Sequence, residues 1–161
     1  MSERVEWIKM VAETAFGRFD NAMKDLKEKE IEWRPVEEAN NIKWILTHLS
    51  QEWNVGFPRL LKGDSNYKPA GWPDDYVGNK SYSMTKIMDD LNKGRETVLT
   101  GLGNLKAAEL DVDIPSWGGT MRKRGTMLAL YISEIFHHEG QIAYIRGAIN
   151  RRRQTDTHFL T

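Results

Sequence analysis

The stretch Thr126 to Asn150, with Glu134-Ile135-Phe136-His137-His138-Glu139-Gly140-Gln141-Ile142 at its centre, decides the fold. On a helical wheel of about 100° per residue with Glu134 at zero, Met127 and Ile145 fall near +20°, Leu130 and Ala148 near −40°, and Tyr131 and Ile149 near +60°. This is the apolar stripe of an α-helix. Into it the sequence places Glu134, His138 at about +40° and Gln141 at about −20°, with His137 on the flank near −60°. Glu139 and Arg146 point away, at about +140° and +120°. Leu128, Ile132, Phe136 and Ala143 fill the opposite side, and a helix apolar on two sides is covered on two sides. The cover is either a loop, such as that around Trp72 or Trp117, or a second copy of the chain.

Working outward, Val5, Ile8, Ala12, Ala15, Phe19, Ala22 and Leu26 recur at alternating steps of three and four and predict a first helix. The polar run Lys27 to Glu30 closes it, and Trp33-Arg34-Pro35 turns the chain. Asn40 or Asn41 then caps a second helix extending to Leu61, with Ile42, Ile45, Leu46, Leu49, Trp53 and Leu60 on one face and Pro58 kinking or shortening its end. A long connection, Lys62 to Ser83, carries Tyr67, Trp72 and Tyr76 among its Gly and Pro residues and is expected to pack over the domain. A third helix spans Met84 to Leu105. Alternation in Leu110 to Ile114, followed by Gly118-Gly119 and Thr120 to Arg124, predicts a short β-hairpin in which Arg122-Lys123-Arg124 faces Asp111 and Asp113. The expected architecture is all-α, an up-down four-helix bundle over residues 1–150 with a small hairpin between helices 3 and 4. Residues 151–161 form a polar tail, whose Arg151-Arg152-Arg153 complements the helix dipole in solvent.

Composition narrows the chemistry. The 161 residues include no Cys and four His, with 23 Lys+Arg against 23 Asp+Glu. Without thiols, disulfides and Cys-ligated metals are excluded, so any metal site must use imidazole and carboxylate. Balanced charge gives no field for nucleic acid. The charged start Met1-Ser2-Glu3-Arg4 and the lack of an apolar run of about 20 residues lead to the expectation of a cytoplasmic protein that does not engage a membrane.

A carboxylate and an imidazole on an apolar stripe need partners, because burying an unpaired charge costs several kcal/mol. Glu134 and His138, four residues apart, can converge on one ion. His48 is the other His within a helix and is the candidate third ligand, with Glu52 one turn later. Equally, the pattern suits a satisfied core histidine. It does not suit a ferritin-like di-iron site, which needs Glu-x-x-His on two helices.

At Ile31-Glu32-Trp33-Arg34-Pro35, Asn41-Ile42-Lys43-Trp44-Ile45-Leu46-Thr47-His48-Leu49 and His138-Glu139-Gly140-Gln141-Ile142-Ala143-Tyr144-Ile145-Arg146 the chain resembles the DinB/YfiT-like superfamily of metal-binding four-helix bundles. With the helix order, the resemblance covers nearly the whole sequence. In that family one His of the second helix and two His four apart on the last helix hold a divalent metal, leaving positions open. His48 and His138 match two of these ligands, and Glu134 stands where the family usually has His. The resemblance implies a bound zinc, nickel, iron or manganese ion. It also implies a homodimer, and a small-molecule substrate attacked by a low-molecular-weight thiol or by water, so a thiol-dependent transferase or a metal-assisted hydrolase. Gln141 and Glu52 would support the ligands. His137 would be a rescue ligand or an acid/base at the pocket edge, or else a flank residue bonded to water. The alternative is a non-catalytic, stress-associated binding or dimerisation module with a degenerate metal site.

Overall fold

The spacing that predicts helix 1 corresponds to α1, Glu3–Met23, in a computed structural model that describes residues 2–116 and 119–160. A single turn, α2 (Glu28–Ile31), follows. The second bundle helix is built in three pieces: α3 (Ile42–Gln51), a π-helical turn (Glu52–Gly56) and α4 (Phe57–Lys62). Then come α5 (Met84–Asn104), a 3-10 turn (Ala107–Asp111), strands β1 (Asp113–Pro115) and β2 (Met121–Lys123), and α6 (Arg124–Thr155). α1 packs on α5 and α6, while α3 packs on the same two helices from the other side, closing the four-helix ring.

Local chemistry accounts for the breaks. Asn41 caps α3, its side chain accepting from the Trp44 N–H at 2.9 Å. Pro58 has no N–H and its ring crowds a carbonyl one turn back. The helix passes it by widening beforehand: the Phe57 N–H donates to the Glu52 carbonyl, a five-residue step. Where a kink or a shortened end is expected at Pro58, the structure has a π turn, a device often found at functional sites, and the helix goes on to Lys62.

That turn carries Trp53, which is fully buried with Phe16 and Phe19 edge-on at 4.8 and 5.2 Å. Gly94 of α5 lies directly over it, and a Cβ there would stand 2.7 Å from Trp53 Cβ and from Asn54 Nδ2. Gly94→Ala is therefore expected to destabilise by about 1–3 kcal/mol despite its better helix propensity. A urea unfolding midpoint equal to or above that of the parent would refute this packing.

The 63–83 connection is held down by a polar network. Tyr76 is buried, its hydroxyl donating to Asp90 Oδ2 at 2.7 Å and accepting from Ser50 Oγ at 3.3 Å, while Lys86 pairs with the same Asp90 oxygen at 2.8 Å. Gly78, at φ +74°, donates to Thr47 Oγ1 and lies so close to Trp44 that a Cβ would sit 2.9 Å from the indole.

The hairpin forms antiparallel, with Asp113 opposite Lys123 and a Lys123–Asp113 ion pair at 2.9 Å. Its first strand starts later than expected, because residues up to Asp111 form the 3-10 turn. Asp111 pairs instead with Arg4, and Arg124 with Glu109.

Two expectations about α6 need correction. The helix continues to Thr155, so Arg151-Arg152-Arg153 lies within it, and Arg153 turns back to the protein. Arg153 bonds Glu30 Oε1 at 2.6 Å and the carbonyls of Phe159 and Leu160, and Arg152 lies over the Phe159 ring at 4.3 Å. Glu139 and Arg146 are not solvent-facing. Glu139 is 7% exposed and accepts from Arg18 Nε and Nη2 at 3.0 and 2.9 Å, because α1 packs on that side. Leu128 and Ile132 are buried within the single chain. The other two apolar residues of that side, Phe136 and Ala143, are half-buried and exposed, and the proposed cover at Trp117 lies outside the described residues.

Candidate metal centre

α3 and α6 face each other with His48 on one and the Glu134–His138 pair on the other. One donor atom from each of these three residues lies within 4.8 Å of the others. The imidazoles of His48 and His138 meet edge to face at 4.7 Å, and His138 Nε2 is 3.6 Å from Glu134 Oε2. Metal–ligand bonds of about 2.0–2.2 Å put neighbouring donors roughly 3–4 Å apart, so the set needs only a small contraction.

Glu134 is placed differently from the expectation that it is buried on the core face. Its side chain is 48% exposed, whereas His138 is 6% exposed. The wheel gives the direction correctly, but Glu134 lies at the open mouth between α3 and α6, where a long side chain reaches water. That exposure leaves its carboxylate free to rotate onto an ion.

Burial lowers the His48 pKa to about 4, and the neighbouring His138 adds to the effect. Burial likewise lowers that of His138, with the Gln141 bond opposing it. Both rings are consequently neutral near pH 7, the form that ligates. His138 Nδ1 meets Gln141 Oε1 at 2.8 Å. An amide oxygen only accepts, so Nδ1 carries the proton and the Nε2 lone pair points toward Glu134 and His48. Gln141 Nε2 in turn donates to His137 Nε2 at 3.0 Å. His137 thus belongs to the chain of contacts behind His138, while the donor cluster itself is formed by His48, Glu134 and His138.

Glu52 opens the π turn. Burial raises its pKa to about 7, with the Glu134 charge adding and Arg59 opposing. The sign of the pH effect follows from linkage: the folded state favours the protonated acid, so stability falls as pH rises from the unfolded value of 4.5 through about 7. Glu52→Gln, neutral at every pH, is expected to stabilise the metal-free protein on the order of 2–3 kcal/mol at pH 8, roughly 5–10 °C in Tm. Near pH 4 the difference should vanish. Thermal melts showing no gain at pH 8 would refute the buried placement of this acid.

Trp44 is a site residue that sequence reasoning missed. Its indole stacks on His48 with an interplanar angle of 11° and centroids 5.3 Å apart. The four-residue spacing of Trp44 and His48 was the available signal. The aromatic connection, expected to pack over the domain, reaches the site through this indole: Gly78 lies against Trp44, and Trp72 bonds Gln51.

The family model described as the DinB superfamily matches residues 12–142. Among solved structures, a conserved protein from Enterococcus faecalis has the same fold, with a TM-score of 0.65 at 15% identity, over 91% of this chain and 96% of that one. No curated protein shows significant similarity to the chain.

Proposed function

The chain belongs to the DinB superfamily, and from that premise we propose that it holds one divalent transition-metal ion on His48, Glu134 and His138 and acts on a small molecule there. The observation that carries this reading is the convergence of three donors with His138 already fixed in the ligating tautomer by Gln141. Two neutral imidazoles and one carboxylate suit zinc, nickel, iron or manganese. Such an ion supplies Lewis acidity, lowering the pKa of a coordinated water or thiol into the neutral range. The chain's own residues do the rest: Trp44 holds the His48 ring, Gln141 orients His138, and Glu52 stands close enough to Glu134 to feel its charge, as the further acid beside the donor set. With no Cys in the sequence, a thiol nucleophile would come from a low-molecular-weight thiol cofactor, giving a transferase; water in its place gives a hydrolase. A cytoplasmic homodimer completes this reading.

The second reading, a non-catalytic binding or dimerisation module, is favoured by Glu134, which replaces the His usual in the family. Elemental analysis of untagged protein separates the two. About one equivalent of transition metal, native or after reconstitution, is the expected result; less than a tenth of an equivalent after reconstitution would overturn the metal reading.

A further inference from the structure

A second feature adjoins the centre. Between the 35–40 segment, the start of α3 and the 137–145 stretch of α6 lies a cavity of about 490 Å³, within the range of roughly 300–1,000 Å³ typical of small-molecule sites. Pro35, Ile45 and Tyr144 contribute apolar wall, and the polar groups are Asn40, His137 and Gln141. Among the described residues no Asp, Glu, Lys or Arg lines it, although such residues make up 29% of the chain. Gln141 is the shared wall: its Oε1 bonds His138 Nδ1, and its Nε2 reaches His137.

From this lining we infer that the cavity receives an uncharged, apolar group, aromatic or branched aliphatic, of a small molecule. Placing a carboxylate or ammonium there would strip it of water with no opposite charge to meet it. A neutral ring instead meets Pro35, Ile45 and the exposed face of Tyr144, with Asn40 and His137 available to one polar substituent. The selectivity of the cavity does not depend on the metal and is measured separately.

Three probes of one shape, benzamide, benzoate and benzylamine, isolate charge as the variable. Titrated into the isotope-labelled full chain, with and without metal, benzamide is expected to shift the backbone amides of residues 39–45 and 137–145 and to bind at least tenfold more tightly than either charged probe. Gly140→Leu fills the cavity from its wall; a Cβ at Gly140 meets nothing within 4 Å, and the helix gains propensity. This variant should lose benzamide binding at least tenfold and keep its metal content. Equal binding of the three probes, shifts confined to other residues, or unaltered benzamide binding by Gly140→Leu would each overturn the inference. The same preference for benzamide in metal-free protein is the expected result, because none of the three donor residues lines the cavity.

Discussion

His138→Ala is expected to weaken transition-metal binding by more than 100-fold, whereas His137→Ala should leave it within a few-fold of the parent. The difference follows from position. His138 is buried at the centre of the donor cluster with Nε2 toward Glu134, and His137 is exposed and joined to it through Gln141. Gln141→Ala should fall between them, at about 10–100-fold, the usual cost of removing a group that orients a ligand. The thermal signature is equally distinct. Metal at 100 times its dissociation constant stabilises the parent by about 2.7 kcal/mol, and His138→Ala should lose that gain. Calorimetric titration and melts with and without metal supply both readings, and a reversed ranking of His137 and His138 would contradict the ligand assignment.

The largest expected loss of stability lies away from the donor cluster. Glu30 is 2% exposed, with Arg153 Nη1 at 2.6 Å from one oxygen and Arg146 Nε at 3.4 Å from the other. The same two arginines hold the carbonyls of Ala22 and Lys24 and those of Phe159 and Leu160. Glu30 is thus the anion that joins the α1–α2 turn to the end of α6. Breaking a buried pair from one side leaves uncompensated charge, so Glu30→Ala is expected to cost about 3–5 kcal/mol, roughly 6–20 °C in Tm for a domain of this size. Metal affinity should be unchanged, since the pair makes no contact with His48, Glu134 or His138 among the described residues. A melt within about 2 °C of the parent would show that solvent screens these charges.

The legible parts of the sequence were those in which one helix carries the whole pattern. Periodicity located α1, α5 and α6, the Asn40-Asn41 pair announced the α3 cap that Asn41 supplies, and the i, i+4 spacing of Glu134 and His138 announced their convergence. What the pattern missed depends on neighbours distant in the chain. Glu139 looked solvated on its own wheel, yet α1 brings Arg18 to it. Glu30 read as a polar end of helix 1 until α6 delivered two arginines. Glu134 lay on the correct face, but a wheel shows angle and not depth along the bundle axis, so its exposure at the mouth was invisible. The π turn at Glu52 was only half legible, since Pro58 signals a disturbance without saying how the backbone absorbs it.

The central claim is that His48, Glu134 and His138 close on one ion. Anomalous diffraction from crystals grown with zinc, recorded on both sides of the metal edge, tests it most directly. The account predicts one strong peak about 2.0–2.2 Å from an imidazole nitrogen of His48, Nε2 of His138 and a carboxylate oxygen of Glu134. A protein saturated with zinc but showing no peak between these three side chains, or a peak ligated by other residues, would contradict it.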